Sequence, residues 1–94
     1  MDTGTFETFA AEARAQGFDE VLERQWGPDI VLDTHMHSFS VKAVVVKGEM
    51  WLTVGDEIRH LGPGETFALA RDTPHAERYG PEGATYWVAR RNAA

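Results

Sequence analysis

After Gly17, turn residues cut the chain into segments too short for core helices and too rich in β-branched and aromatic residues for loops. The segments are Val21 to Trp26, Ile30 to His37, Val41 to Lys47, Glu49 to Val54, Glu57 to Leu61, Thr66 to Leu69, His75 to Tyr79 and Thr85 to Ala89. Between them fall Gly27-Pro28, Gly48, Gly55-Asp56, Gly62-Pro63-Gly64, Asp72-Thr73-Pro74 and Gly80-Pro81-Glu82-Gly83. Glycine supplies positive φ and proline presets φ near −65°, so each junction reads as a turn, and Gly55-Asp56 as a tight hairpin. Many short strands at regular spacing predict an all-β antiparallel sandwich or barrel.

Upstream, Phe6, Phe9, Ala10 and Ala13 recur at helical spacing, with Glu7, Glu12 and Arg14 off that stripe. A short amphipathic helix is predicted over Thr5 to Gln16, capped by Thr3 or Thr5 and ended by Gly17. Too short to persist alone, it must pack as a lid on its own domain or against a second subunit. The expected organisation is a helical extension over residues 1–17 and a β-barrel domain over residues 18–94. Ala43 to Val46 is apolar on both faces, which calls for cover on both sides and favours a homodimer.

Composition narrows the partners. Nine Lys and Arg against fifteen Asp and Glu give a net charge of −6, which argues against a nucleic-acid phosphate backbone. Arg90-Arg91 is the only adjacent basic pair, a weak patch. Without cysteine there is no disulfide, thiolate nucleophile or cysteine-based zinc site. No apolar run approaches a membrane span, and the N-terminus lacks a basic and apolar leader, so a cytoplasmic location is expected.

The chemistry concentrates in three histidines. On a strand, residues i and i+2 project to one face, so His35 and His37 aim at one point. His75, after the Thr73-Pro74 turn, can add a third imidazole from a neighbouring strand. Neutral imidazole suits zinc, iron, nickel or copper, and three protein ligands leave a coordination position open.

With these motifs in place the chain resembles the cupin superfamily from roughly Ile30 to Val88. His35-Met36-His37 and Gly48-Glu49 match its first motif; Gly64-Glu65-Thr66-Phe67 and Thr73-Pro74-His75 match its second. The resemblance implies a double-stranded β-helix, the jelly-roll barrel, with a divalent ion (Fe, Zn, Ni or Mn) on His35, His37 and His75 at its mouth. Two positions depart from the pattern. The glutamate slot of the first motif falls on Val41 or Lys42, so that carboxylate ligand is absent; Val41 is expected in the slot and Lys42 in solvent. Ala70 and Asp72 stand where the second motif has proline and glycine.

Glu77 and Tyr79 share the predicted face of His75, and Asp33 that of His35; they are expected beside the site rather than as ligands. His60 is read as structural or exposed. Trp26, Trp51, Trp87, Phe39, Phe67 and Tyr86 should mostly fill the core, and of the neighbours Tyr86 and Trp87 only one can face inward. The expected function is a metal-dependent enzyme on a small organic substrate, of dioxygenase or isomerase type and similar to the cupin thiol dioxygenases that lack the glutamate. The alternatives are a non-catalytic ligand-binding or sensory module, and a purely structural metal site. The last is disfavoured because structural zinc sites are usually closed by four protein ligands.

Overall fold

The computed structural model describes residues 4–92, so Thr3 lies outside the described residues. Helix α1 spans Phe6–Ala15, and the Thr5 side chain accepts a hydrogen bond from the Thr8 amide at 3.1 Å as its N-cap. Gly17 follows at φ 93°, in the left-handed region that ends helices.

Six strands follow instead of eight: β1 (Glu20–Trp26), β2 (Val31–His35), β3 (Ser40–Val54), β4 (Glu57–Leu61), β5 (Thr66–Leu69) and β6 (His75–Arg91). Two of the predicted turns are not reversals. Gly48 lies within β3, and Gly80-Pro81-Glu82-Gly83 lies within β6. The two long strands pair antiparallel from Ser40↔Arg91 to Thr53↔Ala76, and the register shifts between Val45 and Lys47 and between Gly48 and Met50. At the first shift Val46 is a single extra residue, a bulge; at the second, Gly80 to Gly83 of β6 stand against Glu49 alone, and pairing resumes on either side.

The bend sorts the sheet into two layers. On one side, β1 pairs with Ala84 to Arg90 of β6, and β5 with Val41 to Val44 of β3. On the other, β2 pairs with His75 to Arg78 of β6, and β4 with Met50 to Val54 of β3. Each layer therefore holds four strand segments, two of them halves of β3 and β6. The expectation of an antiparallel β-barrel with one short helix holds; what changes is that two strands serve both layers.

Close backbone approach demands glycine at the bend. A Cβ on Gly48 (φ 75°) would sit 2.1 Å from the Gly83 carbonyl oxygen. A Cβ on Gly83 (φ 71°) would sit 2.1 Å from the Trp26 carbonyl oxygen. Three strands thus cross backbone to backbone at one level.

Between the layers lies a core built on Val45, Met50, Leu52, Leu61 and Tyr79. Outside it, α1 lies against β1 and β6. Phe6 meets Trp87 edge-on at 5.9 Å between centroids, and Phe9 at 6.1 Å. Trp87 is therefore the outward member of its pair and Tyr86 the inward one. Val44, opposite Trp87, is buried on this same outer face, so the two-sided apolar strand that suggested a homodimer finds cover within one chain. No helix among the described residues is long and apolar enough to cross a membrane.

Replacing Gly83 by Ala should lower Tm at least twice as far as replacing Gly55, whose φ of 60° would strain an alanine but whose surroundings are open. Left-handed strain alone costs about 1–2 kcal/mol, and about 1 kcal/mol moves Tm by roughly 4–8 °C in a domain of this size. Calorimetry of both variants checks the difference; equal shifts would mean that the crossing is not tight.

Candidate metal centre

The three histidines reach one point by different routes. His75 opens β6 and is 4 % exposed. His35 ends β2, where a register irregularity falls between Leu32 and His35. On a regular strand residues three apart face opposite ways, yet Leu32 and His35 both line the same cavity. The irregularity turns His35 inward and leaves Asp33 exposed, so Asp33 does not share the face of His35 as regular alternation predicts.

His37 lies beyond β2, so the same-face argument for the pair reaches the right result by the wrong geometry. Its loop is held by the turn before β6. The Asp72 amide donates to the His37 carbonyl at 2.7 Å, the Arg71 amide to Ser40 Oγ at 3.2 Å, and Arg71 Nη2 to the Ser38 carbonyl at 2.6 Å. Asp72 occupies the position of the motif glycine and takes φ 62°, a conformation that Asp tolerates better than most side chains.

Ligand-capable atoms of His35, His37 and His75 all lie within 4.8 Å of one another. Nδ1 of His35 is 2.7 Å from the Asp33 carbonyl oxygen, and Nδ1 of His75 is 2.9 Å from that of Thr73. A carbonyl only accepts, so both Nδ1 atoms carry the proton and, in the neutral ring, Nε2 keeps its lone pair. Burial, followed by the nearby His35 and His75, holds His37 below its ordinary value of 6.5, which keeps it neutral.

Glu77 joins them. It is 8 % exposed, and its Oε2 lies 3.4 Å from His35 Nε2 and 3.5 Å from His75 Nε2. The Tyr79 hydroxyl donates to its other oxygen, Oε1, in a short hydrogen bond. Burial pushes the Tyr79 phenol up out of the physiological range, with Tyr86 and Glu77 reinforcing the shift, so it remains a donor. The expectation from strand alternation, that Glu77 and Tyr79 share the face of His75, is realised.

Val41 occupies the first-motif glutamate slot and lines the cavity, while Lys42 points out to Gln16 and over the rings of Phe9 and Phe18. His60 lies outside, bonded to Glu49 at 2.7 Å and stacked on Trp51 at 4.6 Å. The cavity of about 160 Å³ is walled by apolar residues including Phe67, Leu69 and Val88, with Trp26 and Tyr86 at one side. Trp26 Nε1 donates to the Tyr86 hydroxyl at 3.2 Å and stacks on Tyr79 at 5.3 Å. Arg24 and Arg90 also line it. Beside Arg91 in sequence Arg90 looks like half of a surface pair, but alternation from Tyr86 through Val88 to Arg90 carries it inward.

Residues 17–92 match the AraC-like ligand binding domain family. Among solved structures, the chain is similar to one described for the DMSP lyases RdDddP and RnDddQII, at 26 % identity and a TM-score of 0.71 over 78 % of this chain and 38 % of that one. It is similar to an RmlC-like cupin from Shewanella frigidimarina at 22 % identity and a TM-score of 0.69, over 78 % of this chain and 65 % of that one. It is similar to the polyketide cyclase RemF from Streptomyces resistomycificus at 25 % identity and a TM-score of 0.67, over 85 % of this chain and 60 % of that one. The chain thus spans less than two thirds of each of these three structures. No curated protein matches the sequence.

The histidine cluster sets a pH response for the metal-free protein. With the folded-state pKa of His37 lowered, the unfolded chain binds more protons between that value and 6.5, so stability rises with pH across this window. Melts in chelator should show Tm falling from about pH 7.5 to about pH 5, with His37→Gln reducing the slope; an unchanged slope would contradict it.

Proposed function

The chain belongs to the AraC-like ligand-binding domain family of cupin barrels, and we propose that it is a divalent-metal enzyme acting on a small organic substrate, with His35, His37, His75 and Glu77 holding the ion. One observation carries this reading. Two Nε2 lone pairs and a carboxylate oxygen converge at 3.4 and 3.5 Å, beyond hydrogen-bond length. Acceptor atoms facing one another this closely need positive charge between them, which a bound cation supplies to all of them at once and a proton on one ring supplies to a single pair.

The donor set fits an ion. Ligand atoms each about 2.1 Å from a common zinc lie at most about 4.2 Å apart, so the histidine cluster needs only a small contraction from its 4.8 Å limit. Glu77 supplies the carboxylate that the first motif lacks at Val41, now delivered from the strand of His75. Tyr79 holds Oε1 and leaves Oε2 facing the imidazoles. The Asp33 and Thr73 carbonyls fix the tautomers of His35 and His75.

A bound divalent ion supplies Lewis acidity, polarising an oxygen of the substrate. The chain's own residues do the remainder. Phe67, Leu69 and Val88 give the cavity an apolar wall against which the non-polar part of a substrate can pack. Tyr86, pushed up chiefly by burial, stays a neutral phenol facing the cavity and is available as a hydrogen-bond donor to the substrate. Oxygenase and isomerase chemistry both suit such a site.

A second reading, a ligand-binding or sensory module without turnover, is favoured by the family's description as a ligand-binding domain. A cytoplasmic location belongs to the same proposal. Metal analysis of the purified protein should give one divalent ion per chain, lost in the His35→Ala/His37→Ala variant. Glu77→Gln should weaken metal affinity by roughly 10- to 100-fold or more. Unchanged affinity would assign Glu77 to proton transfer, and no binding after reconstitution would remove the metal reading altogether.

A further inference from the structure

Two cavity-lining guanidiniums have no acidic partner. Among the described residues no arginine lies within ion-pair distance of a carboxylate. The acids beside Arg24 and Arg90 in the sheet are engaged elsewhere. Glu20, opposite Arg90, accepts from Asn92 Nδ2 at 2.8 Å, and Glu23, next to Arg24, accepts from Trp87 Nε1 at 3.0 Å. Each arginine is instead fixed on a ring, Arg24 over Trp26 and Arg90 over Phe39, both at 4.8 Å. Phe39 in turn stacks on His37 at 4.8 Å, which ties Arg90 to the metal centre.

Arg90 Nε is buried and has no hydrogen-bond partner. Buried donors are almost always satisfied, and leaving one bare is costly, more so on a charged group. Arginine's planar fork matches a carboxylate or phosphate in two parallel bonds. In a chain of net charge −6, an unpaired cationic wall beside a cation site selects for an anion.

We propose that Arg90, with Arg24 on the same cavity, forms an anion subsite, and that the substrate is a small carboxylate held by its acid group there. The cavity of about 160 Å³ suits a short organic acid better than a large ligand. The substrate assignment rests on the metal reading, because the remainder of the acid would face the histidines. The subsite itself does not need the ion.

Isothermal titration calorimetry tests it on the full chain, both metal-free and zinc-loaded. The titrants are propionate and succinate, with propionamide and succinamide as neutral isosteres. At least one acid should bind saturably, its amide roughly tenfold weaker or worse, and Arg90→Gln should weaken the acid by roughly tenfold or more. Arg24→Gln should weaken it too, whereas Arg91→Gln, at the end of β6 with its side chain on the Gln16 carbonyl, should leave it unchanged. A melt establishes that each variant is folded, and Arg90→Lys, which keeps the charge but loses the fork, should fall between wild type and Arg90→Gln. Amide binding equal to acid binding, indifference to Arg90→Gln, or no acid binding would overturn the proposal. Zinc uptake without acid binding sinks the subsite alone; Arg90-dependent acid binding without zinc uptake sinks the metal reading alone.

Discussion

The crossing of Gly48, Gly83 and the Trp26 carbonyl is the constraint on which the rest of this barrel depends. Because no side chain intervenes there, β3 and β6 bend without losing their partnership, and each contributes to both layers. For β6 the consequence is functional. One half carries His75, Glu77 and Tyr79, the other Tyr86, Val88 and Arg90, and the bend brings both halves around one cavity. A straight strand of this length would have spread the same residues along a flat face.

In the proposed metal centre a carboxylate is relocated without changing the scaffold. The first-motif slot holds Val41, an apolar wall residue. The acid comes instead from two residues past His75, where strand alternation guarantees a shared face. Its partners are arranged in sequence: Tyr79 occupies one oxygen, the histidine tautomers are fixed by backbone carbonyls, and the other oxygen faces both Nε2 atoms. Were a metal held there, a carboxylate added to three imidazoles would give a harder, more anionic donor set than three imidazoles alone.

Much of this was legible in the sequence, and the failures have physical causes. Turn chemistry found every strand segment, but glycine marks a bulge as readily as a reversal, so Gly48 and Gly80 to Gly83 were read as turns. Period-two alternation placed Glu77 and Tyr79 with His75 and separated Tyr86 from Trp87, because β6 is regular over those residues. It failed for Asp33, where the end of β2 is irregular. His37 shares the site through loop hydrogen bonds from Arg71 and Asp72, which no periodicity encodes. Arg90 was within reach of the same alternation that placed Tyr86, but its neighbour Arg91, which donates to the Gln16 carbonyl at 2.6 Å, made the pair look superficial.

The central claim is that Glu77 and the three histidines form one metal centre. Cobalt(II) reports coordination directly, since its visible absorption intensifies when few ligands surround it. Titrating the metal-free chain should give an intense visible spectrum that saturates at one equivalent, with Glu77→Gln changing its shape and His75→Ala abolishing it. A weak, unsaturable spectrum, or one identical in wild type and His75→Ala, would contradict the account.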